Sequence, residues 1–244
     1  MERTSFTTRG ETVNRSELGN KLESLLRLQH APIAISFMAR PPSGVSRVKR
    51  PGPAGCSYWK MASDGETFYT TAEDHQNCTI GAYTHGVTLG PEKAKELQGT
   101  LSEMIRLDYL QEKEIPRVAH REEKFEIAAY GPLSATPFEA QIVLIRGTAK
   151  HLMMLAEAAA RAGVGADSTM IRPTCAVIPQ VLKSWQATLS MGCIGNRVYT
   201  ELEDGEAYYA VAGAQIGQVV AELEKIVAAN DALKEFHKPR CANV

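Results

Sequence analysis

The sequence predicts a single mixed α+β domain, built as two pseudo-equivalent halves around a shared core. Three observations lead there. Helix-like and strand-like apolar patterns are intermixed along all 244 residues. No polar linker long enough to divide the chain interrupts them. And four of the five cysteines fall in two matching settings, Cys56 and Cys78 in GCSYWK and NCTIGAY, Cys175 and Cys193 in TCAVIPQ and GCIGNRVY. In each pair a cysteine opens an apolar stretch, a strand-like segment follows, and a second cysteine stands just before an Ile-Gly step. Twenty-one residues separate the first pair and seventeen the second.

The elements follow in order. Residues 1–15 are polar and read as a leader; the domain proper runs over 16–230, and 231–244 form a polar tail. SELGNKLESLLRL places Leu18, Leu22, Leu25 and Leu26 on one helical face behind a Ser cap. PIAISFM, 32–38, is apolar almost throughout and reads as a strand buried on both faces. Residues 40–55 are rich in Pro and Gly and form a loop. A helix is expected from Cys56 to Ala62, a strand over 66–71, and a small-residue stretch after Cys78. Pro91 then opens a long helix. The second half repeats the outline: strands over 125–133 and 139–147, and a helix stopped by Gly163. A helix around AVIPQVLKSW, a strand QATLSM, a strand YYAVAG and a closing amphipathic helix from Ala214 complete it.

Composition narrows the function classes. A chain of this length buries about 70–75% of its unfolded surface and needs no disulfides to hold it. The net charge of −1 gives no electrostatic reason to bind nucleic acid or an anionic membrane. No apolar run is long enough to span a bilayer, and the N-terminus lacks the apolar core of a signal peptide. The expected compartment is the cytoplasm, where patterned cysteines bind metal or act chemically more often than they form disulfides.

Four thiolates are soft ligands that suit zinc or an iron–sulfur cluster. The close-spaced knuckles of structural zinc sites are missing, so the expected site is one assembled between elements of a finished fold. Cys78 and Cys193 each precede residues able to open a helix, whose free N–H groups favour a thiolate. Gly81 and Gly195 would let the backbone approach a sulfur, and Arg197 and Arg172 could offset residual negative charge. Each cysteine taken alone is more ordinarily core filling, and Cys241, in KPRCANV, reads as an exposed thiol.

From residue 16 to 228 the chain resembles the DUF169 family. The resemblance is carried by the leucine-rich helix and its PIAISFM strand, Cys56 before a helix, CTIGAYTHG with Cys78, and GPL with Pro132. PFEAQIVLIRGTAKHLMM follows, then Cys175 and GCIGNR with Cys193 and Arg197. It departs at Ile194, where the pattern has Pro, and near Glu139. The resemblance implies the fold and a four-cysteine set, and no reaction.

The expectation is therefore a [4Fe–4S] cluster on Cys56, Cys78, Cys175 and Cys193, with Arg197 beside it. Four ligands make an electron carrier or a structural cluster working with a redox partner protein. Three would leave one iron open to a small-molecule substrate, and the chain would be an enzyme. The alternatives are a structural zinc protein and a metal-free protein that binds a small molecule between its halves. His75 and His85 flank Cys78 and could donate protons or ligate, though surface or hydrogen-bonded histidines are the more ordinary reading. Asp64, Glu66, Glu73 and Asp74 read as a solvated acidic loop, and Tyr58, Trp59, Tyr69 and Tyr83 as core packing or a pocket wall. No nucleotide-binding, Ser-nucleophile or zincin motif is present. The closing helix suits its own core or a dimer interface equally.

Overall fold

A computed structural model describes residues 15–241; the leader expected over 1–15 lies, but for Arg15, outside them. The first helix, α1 (Arg15–Leu26), buries Leu18, Leu22 and Leu26 on one face, as the leucine spacing requires. It leads into β1 (Ile33–Met38), then α2 (Ser57–Ser63), β2 (Phe68–Thr71), α3 (Thr79–Thr84) and α4 (Pro91–Arg106). The second half runs β3 (Ile127–Pro132), β4 (Ile142–Thr148), α5 (Ala149–Arg161), β5 (Ala166–Met170) and α6 (Val177–Ser184). It ends with β6 (Ala187–Ser190), α7 (Ile194–Thr200), β7 (Glu206–Ala212) and α8 (Ile216–Cys241).

The seven strands form one sheet in the order β2-β3-β1-β4-β7-β6-β5. All neighbours are antiparallel except β5 and β6. The order carries the pseudo-symmetry expected from the cysteine settings. With β1 and β4 paired antiparallel at the centre, β3 and β7 take the next places and β2 and β6 the ones beyond. Each half then reads strand, Cys, helix, strand, Cys, helix, strand, with α4 added in the first half and α5 and β5 in the second.

Both sheet faces are covered, because the central strands are apolar on both sides. Ala34, Val143, Ile145, Tyr209 and Val211 face a core shared with α1, α5 and α8. Their neighbours Ile35, Ile142, Leu144, Tyr208 and Ala210 face a second core with α2 and α6. Cys56 belongs to the second layer, and Cys78 and Cys175 pack against it. The closing helix runs to Cys241, through residues expected to be a polar tail. Its chemistry explains this: DALKEF is built from good helix formers.

Candidate functional site: a four-thiol centre

Four segments, far apart in sequence, deliver one thiol each. Cys56 is the N-cap of α2, Cys78 of α3 and Cys193 of α7, while Cys175 sits in the single 3-10 turn leading into α6. None is in a disulfide. Every pair among the four interacts electrostatically: Cys193 and Cys78 each raise the pKa of Cys56, Cys193 raises that of Cys78, and all three raise that of Cys175. The thiols are thus near enough to act on one another electrostatically. Among the described residues, however, no three His, Cys, Asp or Glu side chains converge closely enough to hold a single metal ion.

Burial is the dominant influence on these sulfurs. It pushes the Cys56 thiol up to about 12 and raises Cys78 and Cys175 as well. Local donors pull the other way. The backbone N–H groups of Gly81 and Ile80 favour an ionised Cys78, the Thr84 hydroxyl an ionised Cys175, and Asn196 an ionised Cys56. The loop before α7 depends on Gly192. Its φ is +82°, and an added Cβ would stand 2.7 Å from Leu202 Cδ2. Gly192→Ala is expected to cost about 1–3 kcal/mol in denaturant unfolding. By contrast, a Cβ on Gly81 or Gly195 would make only ordinary contacts, at 3.5 Å, with Cys78 Sγ or Tyr199.

Two histidines complete the neighbourhood; neither lies at the surface, and His75 is hydrogen-bonded, to Thr70. His75 and His85 are fully buried, with ring centroids 5.8 Å apart. The residue before Cys56, Gly55, packs against them: an added Cβ would lie 3.0 Å from His75 Nδ1 and 3.7 Å from His85 Nδ1. The Thr70 hydroxyl lies 2.8 Å from His75 Nε2 and 3.2 Å from the Ala128 carbonyl. A hydroxyl has one proton. Donating it to the carbonyl requires Thr70 to accept from His75 Nε2–H, which leaves His75 Nδ1 as a bare lone pair. His75 Nδ1, both ring nitrogens of His85 and Trp59 Nε1 are buried without a hydrogen-bond partner, while the Asn196 amide lies against the Cys56 thiol.

Burial also keeps the imidazoles neutral, lowering His75 to about 3 and His85 to about 4. Below about pH 6.5 the unfolded chain therefore binds protons that the folded chain refuses. Stability of the metal-free protein should fall as pH drops from 6.5 toward 4, by roughly 1.4 kcal/mol per unit for each imidazole. Above 6.5 these groups contribute no slope. Denaturant unfolding at a series of pH values checks this; a flat profile between pH 4 and 6.5 would contradict it.

Arg197 spends its guanidinium on the loop around Cys193. It donates to the carbonyls of Met191 at 2.6 Å and Glu203 at 2.9 Å, and stands 3.9 Å from Asp204. Its contacts fix that loop and do not include a thiol. Arg172 turns to the Tyr109 carbonyl at 3.0 Å and stacks over the Tyr109 ring. Asp74 is not solvated as expected: it is buried, and Arg47 holds both its oxygens, at 2.9 and 3.1 Å. Tyr58 and Trp59 are core residues, and Tyr83 is exposed.

The fold is that of an α+β protein whose two similar halves each carry two cysteines, of which Cys56 is buried and Cys78, Cys175 and Cys193 are partly buried. Residues 21–222 match the DUF169 family, described as Uncharacterised ArCR, COG2043, and the chain belongs to it. No curated protein matches the chain, and no solved structure does. Among the described residues no helix is long and apolar enough to cross a membrane.

Proposed function

We propose that the chain binds an iron–sulfur cluster, [4Fe–4S], through Cys56, Cys78, Cys175 and Cys193, and works in electron transfer or in cluster-based redox or sulfur chemistry. The observation that carries this reading is the mutual electrostatic contact of all four thiols, delivered by four separate segments. Delivery of the ligands singly, one from each of four separate segments, supports a cluster over zinc. A tetrahedral ion with Zn–S bonds near 2.3 Å needs sulfurs about 3.8 Å apart, whereas a cluster attaches each thiolate to a different iron and tolerates a wider set. The surroundings fit as well. Partial burial, the backbone N–H groups at Cys78 and the Asn196 amide at Cys56 are features that tune the potential of such a centre.

When bound, the cluster supplies one-electron transfer, or Lewis acidity if an iron lacks a protein ligand. The chain's own contribution is to hold four sulfurs in a dry layer and to keep two neutral imidazoles behind them. Four equivalent ligands favour an electron carrier with a redox partner protein; an enzyme with a small-molecule substrate would use three. Electron paramagnetic resonance of the anaerobically reconstituted, dithionite-reduced protein tests this. A reduced-cluster signal unchanged by cyanide is expected for four thiolates, and a cyanide-dependent shift would mean an open iron. No signal from protein that has taken up no iron would defeat the proposal.

A further inference from the structure

On the same side of the sheet lies a cavity of about 560 Å³ that the thiol centre does not use. That volume suits a small organic molecule. It is lined by Phe37, Arg121, Phe125, Leu182 and Trp185 among others. Arg121 is the central feature. Its guanidinium is half-buried and stacks 4.0 Å over the Phe37 ring, and it makes one weak hydrogen bond, from Nε to the Glu123 carbonyl at 3.3 Å. Among the described residues no carboxylate stands within 4 Å of it, and Glu123 attracts it only from beyond ion-pair distance. A partly desolvated cation normally has an anion beside it.

Trp185 gives a second, independent sign. It caps α6 in the left-handed region, at φ +56°, and leaves 55% of its surface exposed at the cavity. The left-handed cap is an ordinary helix end, shared by Glu201 after α7, and it is the exposed indole that points to an apolar ligand. The inner wall leads toward the thiol centre: Phe125 lies 5.0 Å from Phe37 and 5.4 Å from His75, between ring centroids.

We propose that this cavity binds a small organic monoanion with a flat or compact apolar body, its carboxylate on Arg121 and its body between Phe37, Phe125, Leu182 and Trp185. Glu123 and Glu126 on the lining oppose a second negative charge. The site stands on residues that hold no thiol and does not depend on the cluster.

The chain has two tryptophans, and Trp59 is fully buried, so Trp185 reports on the cavity. Sodium benzoate and the neutral isostere benzamide are titrated into iron-free and iron-loaded protein while tryptophan emission is followed. Benzoate should give a saturable change in both forms, and benzamide a much weaker one. Arg121→Met, which keeps the stack on Phe37, should weaken benzoate at least about tenfold, the scale of one charge-assisted hydrogen bond. Equal binding of benzamide, full benzoate affinity in Arg121→Met, or no benzoate binding to the wild type would each overturn the site. If Arg121→Met fails to fold by circular dichroism, the benzoate–benzamide comparison on the wild type decides. Iron content plays no part in that outcome, so this site and the cluster can fail separately.

Discussion

Replacing any one of Cys56, Cys78, Cys175 or Cys193 by Ser is expected to remove most of the iron that the wild-type chain takes up anaerobically, whereas Cys241→Ser should leave it unchanged. The asymmetry follows from position. The four thiols interact pair by pair within one layer, while Cys241 ends α8, the helix that packs with α1 and α5 on the opposite face. A serine oxygen is a harder and poorer ligand for iron–sulfur chemistry than a thiolate. It is nearly isosteric, so the fold should survive each change to within about 1 kcal/mol. Iron assay of the five variants beside circular dichroism checks both halves. Full iron in one of the four single variants would identify the cysteine that does not ligate; loss of iron in Cys241→Ser alone would refute the assignment.

The second large effect is expected at Arg146. This side chain lies in β4, otherwise apolar, and is buried with Glu206 of β7. Its Nε donates to Glu206 Oε2 at 2.8 Å and a second nitrogen makes a very short contact with the same oxygen. Its remaining N–H groups reach the carbonyls of Thr200 at 3.1 Å and Glu201 at 2.7 Å, the C-terminal end of α7. One guanidinium thus ties the sheet to the helix that begins at Cys193. Arg146→Met leaves the buried Glu206 carboxylate with only the Glu203 N–H at 3.1 Å and His30 at 4.0 Å, which costs about 3–5 kcal/mol. Urea unfolding should show that loss, together with reduced iron loading because α7 is released. Replacing both residues, Arg146→Met with Glu206→Gln, should recover part of the stability. A change below about 1 kcal/mol in the single variant would mean the pair does not anchor α7.

Much of this architecture is legible in the chain because its signals are local. Leu18, Leu22 and Leu26 announce α1, Pro91 opens α4, and the apolar runs around Ile35, Val143 and Val211 announce the buried strands. Elements whose stability comes from contacts elsewhere are not. The strand β5, ADSTM, has no apolar alternation; α3 and α7 are too short to show a helical period, and only the residues after Cys78 and Cys193 hinted at their starts. The cysteine settings carried the pseudo-symmetry, but its form, with β1 and β4 at the centre, appears only in the sheet order. At the site, the four cysteines could be grouped from their repeated context. The burial of His75 and His85 could not, since an isolated histidine carries no pattern that marks it as interior. Asp74 was masked by its acidic neighbours, though Thr71 three residues before it is a capping-box signal. The lone arginine in IVLIRGT was a readable clue to the Arg146–Glu206 pair, because a charge inside a buried strand demands a partner.

The measurement that tests the central claim most directly is the iron and acid-labile sulfide content of the chain purified without oxygen, taken with its visible spectrum. The proposed centre predicts about four irons and four sulfides per chain in a brown protein. A colourless protein that holds neither, and takes up neither on anaerobic reconstitution, would contradict it.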